Sequence, residues 1–245
     1  MSKKPELRVG VLSDIHVPFQ DKKATKMALE YLENSNLDKL VLLGDIADFL
    51  AVSRYGKSLH RRASLNDELE QTKDFLADVR DRFPKTDIIY TKGNHEDRWD
   101  RYVTDRAPEF GELGILRLPK VLELKKMGIK WEKDKFCLNG MIFYHGDGRC
   151  SRNAGYTATA WMNHFMKSCI IGHIHRSAVI YKRYGTGQTM VGVENPCLCE
   201  LDPEYDKGGT CNWQHGGTLL LMNTGSHINT PYPFRIEGNK IYGTI

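Results

Sequence analysis

Short aliphatic runs alternate with stretches of helical spacing through the first half of the chain, and each run halts abruptly at polar residues. Arg8 to Ser13 reads as a buried strand ending at Asp14, and Lys39 to Leu43 as a second ending at Gly44-Asp45. Asp87 to Thr91 is a third, followed by Gly93-Asn94-His95. After the first strand, Ala24, Met27, Ala28, Tyr31 and Leu32 form an apolar stripe at helical spacing. Leu65, Leu69, Thr72, Leu76, Val79 and Phe83 recur every three or four residues, which predicts a helix with one buried face, closed by Pro84.

The second half is richer in strand signals. Phe136 to Leu138 and Met141 to Tyr144 flank Asn139-Gly140, the strongest short hairpin-turn signal, and the second arm ends at His145. Ser151 to Lys167 contains a helix, and Ser168 to Ile171 is a strand that runs into Gly172-His173. Ser177 to Tyr181 and Thr189 to Val193 form a further hairpin about Gly185-Thr186-Gly187, and Thr218 to Met222 is a late strand. Residues 104–135 carry no firm signal of either kind.

Composition adds limits. The 245 residues can bury a substantial core, and no linker or low-complexity tract divides them, so one domain spanning 1–245 is expected. A hydrophobic share of 40% with 27% charged residues is that of a soluble globular protein. The polar start, Met1 to Arg8, lacks the core of a signal peptide, and no apolar run approaches the roughly 20 residues a bilayer requires. A cytoplasmic protein with no membrane partner is expected, with its six cysteines reduced. The net charge of +4 is too small to establish nucleic-acid binding by itself, and the oligomeric state stays open.

In open α/β sheets the loops after the carboxyl ends of the strands converge on one edge, where ligands bind. Five strands here finish in Asp, Asn or His, and five of the nine histidines fall at those ends, more than independent accidents would arrange. Carboxylate oxygen, amide oxygen and imidazole nitrogen are ligands for hard-to-borderline divalent ions. Each piece alone has a plainer reading. Asp14 fits a helix cap, Gly44-Asp45 a turn, His145 a satisfied buried imidazole, and Gly172-His173-Ile174-His175 an exposed loop.

Taken in order, Asp14-x-His16, Gly44-Asp45-x-x-Asp48, Gly93-Asn94-His95-Glu96, the lone His145 and Gly172-His173-x-His175 resemble the five blocks of the calcineurin-like metallophosphoesterases. The resemblance spans residues 12–175. It implies an α/β fold, a four-layer αββα sandwich of two mixed β-sheets flanked by helices, with the metal site at the C-terminal strand edges. It also implies two divalent metal ions, manganese foremost, with Fe, Zn, Mg, Ni or Co as substitutes. Asp14, His16 and His175 would hold the first ion, Asn94, His145 and His173 the second, and Asp45 would bridge both. His95 would sit near the leaving-group oxygen rather than on a metal.

The chemistry suits a phosphate ester. Two cations roughly 3.5–4 Å apart neutralise phosphoryl oxygens and acidify a water held between them, and the resulting hydroxide attacks in line. His95 is the candidate acid at the departing oxygen, and Asp48 either fixes the ring of His95 or of a ligand histidine, or is a solvated helix-start carboxylate, an ambiguity that Glu96 and Asp97 share. Arg98 and Arg149, each close behind a motif, are candidate phosphate contacts.

Asp48 is followed by Phe49-Leu50 where protein Ser/Thr phosphatases of the superfamily have Arg-Gly, which speaks against a phosphoprotein substrate. The basic stretch Arg54, Lys57, Arg61 and Arg62 with His60, and the aromatics Tyr55, Trp99, Tyr102 and Trp161, point toward nucleotides or nucleic acid, against the plainer readings of a solvated charge run and core aromatics. A repair-type nuclease and a catalytically inactive binding module on the same fold are the alternatives. Cys197-x-Cys199, Cys211 and His215 offer a zinc knuckle, but the Cys-x-Cys spacing is tighter than usual and favours plain buried cysteines, and Asn195, Asn212 and Trp213 in the same stretch are candidates for the edge of the substrate cleft.

Overall fold

In the computed structural model, residues 6–54, 64–112, 114–185, 187–201 and 212–243 are described. Strand β1 (Glu6–Leu12) leads into helix α1 (Lys22–Glu33), whose first turn is capped by Asp21 accepting from the Ala24 amide at 2.8 Å. Strand β2 (Lys39–Leu42) precedes α2 (Leu65–Arg82), which opens with a reciprocal Ser64–Asp67 capping box. Strand β3 (Asp87–Thr91) feeds α3 (Glu96–Arg106), and two short helices, α4 (Pro108–Glu112) and α5 (Leu118–Val121), lead to β4 (Ile129–Glu132). Strands β1 to β4 run parallel and in order.

The second sheet begins with β5 (Phe136–Leu138) and β6 (Met141–Tyr144). Asn139 and Gly140 between them both have positive φ, 47° and 77°, as a two-residue hairpin of the primed type requires. Helix α6 (Tyr156–Phe165) crosses to β7 (Cys169–Ile171), and the hairpin of β8 (Ala178–Arg183) and β9 (Thr189–Glu194) completes a five-stranded sheet in the order β5-β6-β7-β9-β8. Strands β10 (His215–Asn223), β11 (Ile228–Glu237) and β12 (Lys240–Tyr242) return to the first sheet, with β10 antiparallel to β1. That sheet has seven strands among the described residues.

Three buried clusters separate four layers. Leu12, Leu40, Leu42 and Tyr90 pack with Ala28, Leu32, Leu76 and Val79 beneath α1 and α2. Val9, Val11, Val41, Leu43, Phe143, Ile170 and Val193 fill the space between the sheets. Ala158, Trp161 and Met162 of α6 cover Cys169, Ile171 and Met190 on the far side. The fold is thus two mixed sheets flanked by helices, as expected. Strands β1, β2 and β3 are apolar on both faces because both faces are covered, which is why they read as continuous runs rather than alternations. No helix among the described residues is long and apolar enough to cross a membrane.

Candidate metal centre

Every motif stands just past the carboxyl end of a strand. Asp14 and His16 follow β1, Asp45 follows β2, Asn94 and His95 follow β3, His145 follows β6, and His173 and His175 follow β7. Asp14, His16, Asp45, His173 and His175 all wind left-handed, with φ between 51° and 68°. The loops lock to one another through backbone bonds: the Asp14 amide donates to the Gly44 carbonyl at 3.1 Å, and those of Ile15 and His16 to the Asp45 carbonyl at 2.9 and 3.0 Å. Gly44 must be glycine there, since its φ is 82° and a Cβ would stand 2.6 Å from His145 Nδ1.

Glu96 ties β2 and β3 together from beneath. Its fully buried carboxylate accepts from the amides of Asp45, Ile46, Ala47 and Gly93 at 2.7–3.1 Å and from the Tyr90 hydroxyl at 2.7 Å. It approaches no ligand histidine in these contacts, so of the carboxylates whose roles were open in the sequence, Glu96 holds backbone. Asp97 pairs outward with Lys92 and Arg101.

The donor atoms converge. Asp45 Oδ2 lies 3.1 Å from His145 Nε2, 3.7 Å from His95 Nε2 and 3.9 Å from His16 Nε2. Asn94 Oδ1 lies 3.0 Å from His145 Nε2, and Asp14 Oδ1 lies 3.2 Å from His175 Nε2. Asp45, His145 and His173 present ligand atoms within 4.8 Å of one another, as do His16, Asp45 and His95, and His16, His175 and Cys199. Among the described residues, His16 Nε2 and His173 Nδ1 are buried without a hydrogen-bond partner. Two orphaned imidazole nitrogens beside buried carboxylates cost free energy in a metal-free protein, and a cation accepts both lone pairs, so the donor set fits divalent ions.

Three of these rings have the far nitrogen tied. His16 Nδ1 donates to Asp48 Oδ2 at 3.2 Å and His145 Nδ1 to the Leu43 carbonyl at 3.0 Å, while His175 Nδ1 faces Cys199 Sγ at 3.6 Å. Such bonds direct the Nε2 lone pair toward the cluster. Burial opposes a charge on His145, but Asp45 beside it outweighs burial and raises its pKa to about 10. Burial works likewise against Asp45, yet the charges of His145 and His95 hold its carboxyl well below the usual range. His173, buried and facing His145, falls to about 4. The hydrogen bond from Cys197 and the charge of His175 pull the Cys199 thiol well below its ordinary value, although burial opposes them.

His95 and Asp48 sit at the rim. His95 Nδ1 donates to the Asp48 carbonyl at 2.9 Å, and His95 Nε2 accepts from Arg98 at 2.8 Å, while Arg98 also reaches Asp48 Oδ1 at 3.2 Å. Burial would raise the Asp48 carboxyl, but the bonds from His16 and His95 keep it far below its ordinary value. A cavity of about 900 Å³ opens from this rim, lined among others by Arg54, Asn94, Arg98, Arg101, Tyr102 and Arg106.

The Arg149 guanidinium stands 5.1 Å from the centre of the Trp161 ring. Trp99 and Trp161 are core residues. Asn195 is buried behind β1, donating to Ser13 Oγ at 2.8 Å. The zinc-knuckle spacing leads instead to buried Cys197 and Cys199, with His215 Nε2 donating to the Cys199 carbonyl at 2.7 Å; Cys211 lies outside the described residues, as do Tyr55, Lys57, His60, Arg61 and Arg62. Cys199, 3.6 Å from His175 Nδ1, and Trp213, whose ring centre is 4.0 Å from that of His175, join the site although none of the five motif blocks contains them.

Two mixed sheets between helices, with a buried cluster of carboxylates and imidazoles at the strand ends, define the metallophosphoesterase class of folds. The chain belongs to the calcineurin-like phosphoesterase family, whose profile matches residues 7–177. It is similar to the Gene 54 protein of Mycobacterium phage D29, 29% identical over 233 residues that cover 90% of this chain and 91% of that protein. The Gene 54 protein of Mycobacterium phage L5 is 28% identical with the same coverage. Among solved structures, Vacuolar Protein Sorting 29 from Cryptosporidium parvum aligns with a TM-score of 0.53 at 11% identity, over 97% of this chain and 95% of that one. Wild-type Vps29 from Entamoeba histolytica complexed with zinc gives 0.51 at 13%, over 96% of each. At those identities the likeness speaks for the fold alone.

Proposed function

We propose that the chain is a binuclear metal-dependent phosphoesterase, hydrolysing phosphate mono- or diesters of nucleotides or nucleic acid, with the whole chain forming one domain. The observation that carries the reading is the position of Asp45: one carboxylate oxygen faces both His145 and His16, at 3.1 and 3.9 Å, while His16 Nε2 and His173 Nδ1 have no hydrogen-bond partner among the described residues. Asp14, His16 and His175 would hold one ion and Asn94, His145 and His173 the other, with Asp45 as the carboxylate they would share. Bound there, divalent cations supply neutralisation of the phosphoryl oxygens and an activated water.

The chain's own residues do the rest. Arg98, 2.8 Å from His95 Nε2, offers its guanidinium to the phosphoryl group at the rim. With Arg98 drawn from Nε2 to the phosphoryl group, His95 takes up a second proton at Nε2 and gives it to the departing oxygen, while its Nδ1–H stays on the Asp48 carbonyl and the Asp48 carboxylate orients His16. The cavity beyond is lined by four arginines against the single carboxylate of Asp105, which pairs with Arg54, and by Tyr102, which is 45% exposed; that excess of cationic groups beside an aromatic ring supports a nucleotide or nucleic-acid substrate. Pairing of β10 with β1 supports the single domain, since the chain beyond the matched segment completes the sheet that carries Asp14.

The test is hydrolysis of an aryl phosphate diester by chelator-treated protein, with and without added manganese. Activity is expected to vanish on chelation and return with the metal. Full activity of the metal-free chain would overturn the mechanism, and metal uptake without turnover on any phosphate ester would leave a metal-binding module on this fold. His95→Gln is expected to lower turnover about 100-fold or more while both ions stay bound.

A further inference from the structure

Three imidazoles at the centre face the acidic cluster with Nε2 and turn Nδ1 away from it, and only two of those Nδ1 atoms meet an oxygen. The third, on His175, meets sulfur. Cys199 is 3% exposed, and its backbone is fixed to the loop after β1, its amide donating to the Asp14 carbonyl at 3.0 Å. Its Sγ therefore stands at a set place behind the His175 ring, 3.6 Å from Nδ1, while Nε2 of that ring is 3.2 Å from Asp14 Oδ1. A neutral imidazole has one N–H and one lone pair, so a lone pair directed at Asp14 and a cation puts the N–H on Nδ1, pointed at sulfur. Trp213 closes another side of the ring, at 4.0 Å between ring centres.

We propose that Cys199 is a positioning residue of the metal centre, its sulfur accepting the Nδ1–H of His175 and so presenting the Nε2 lone pair to the ion that Asp14 and His16 share. It does for His175 what Asp48 does for His16 and the Leu43 carbonyl for His145. The inference rests on the metal-centre reading above. The buried, unpartnered His16 Nε2 marks where the lone pairs are expected to meet. Sulfur also lies close enough to the ligand atoms of His16 and His175 to coordinate an ion directly. Against this, the ring nitrogen facing the sulfur is the one opposite Asp14, so an ion on Nε2 lies across the imidazole from Cys199.

The experiment titrates chelator-stripped full-length protein with cobalt(II) and with manganese(II), comparing wild type, Cys199→Ala, Cys199→Val and Cys199→Ser. Wild type is expected to take up two ions per chain and to show no thiolate-to-cobalt charge-transfer band in the near ultraviolet. Cys199→Ala is expected to bind one of the two ions about 10- to 100-fold more weakly, with Cys199→Ser, which keeps an acceptor, recovering most of that loss. Circular dichroism of the metal-free chains checks folding, and Cys199→Val, which fills the space without an acceptor, stands in if the alanine variant unfolds. Unchanged affinity for both ions in the alanine or valine variant would overturn the role of Cys199 and leave the metal centre intact. A charge-transfer band lost with the sulfur would make Cys199 a ligand and overturn the inference as stated. No uptake by wild type would remove the centre itself, and this inference with it.

Discussion

Glu96 shows how one side chain can set the geometry of a site it does not enter. Its carboxylate gathers four backbone amides and the Tyr90 hydroxyl, all shielded from water. Burial and that neighbouring carboxylate hold the Tyr90 hydroxyl well above its usual pKa, so it serves only as a donor. Replacing Glu96 by Gln turns an amide NH2 toward donors and leaves two or more of them unpaired. The expected loss is about 3–5 kcal/mol of folding free energy in urea unfolding of the metal-free protein, together with weaker metal uptake as the Asp45 turn loosens. A loss below about 1 kcal/mol would contradict this account of the turn. The sequence displayed Glu96 beside Gly93-Asn94-His95 but not its target, because a buried acceptor of backbone amides has the same local pattern as a helix-start carboxylate.

At the scale of elements, what was legible depended on whether a segment buries a periodic face. Strand β3 and the β5–β6 hairpin fall where the sequence puts them, since aliphatic runs and Asn139-Gly140 report directly on burial and turn geometry. Helix α3 escaped because seven of its eleven residues are charged, with Glu96 and Trp99 as its buried residues. Strand β11 escaped because Pro231 and Pro233 weaken any strand reading, although the structure pairs it with both β10 and β12.

Contacts between elements were also hidden. Glu68 on α2 is buried and accepts from the Ala51 amide, at 3.3 Å to one oxygen, in the short 3₁₀ turn Leu50–Val52; burial and the Asp48 charge raise its pKa to about 7 from 4.5. Between those values the folded chain keeps a proton that the unfolded chain releases. This contribution to stability is therefore complete below about pH 4.5 and is lost as pH rises through 7, by about 3 kcal/mol at most. Glu68→Gln cannot titrate, so its melting temperature is expected to gain on wild type between pH 5 and pH 7.5. An equal difference at both pH values would refute the shift.

The whole molecule depends on its last strands more than the motifs suggest. The five blocks end at His175, but β10 supplies the antiparallel neighbour of β1, and β9 lies between β7 and β8. A chain cut after residue 177 would leave β1 and β7 as bare, largely apolar edges, and the expected outcome is loss of the cooperative thermal transition in circular dichroism. A sharp melt of the shortened chain would show that the motif-bearing half folds alone.

The left-handed backbone at Asp14, His16, Asp45, His173 and His175 reaches across all these scales. Such conformations cost a side-chain-bearing residue on the order of 1–3 kcal/mol each, and glycine would adopt them with the least penalty. Asp14 and Asp45 offset part of that cost by accepting the His173 and His95 amides at 3.0 and 2.8 Å, so selection for thermal robustness alone should drift the three histidine positions toward glycine. Any laboratory lineage evolved for heat resistance without a demand for metal uptake is where the rim should erode first, while the three apolar clusters beneath it stay as they are.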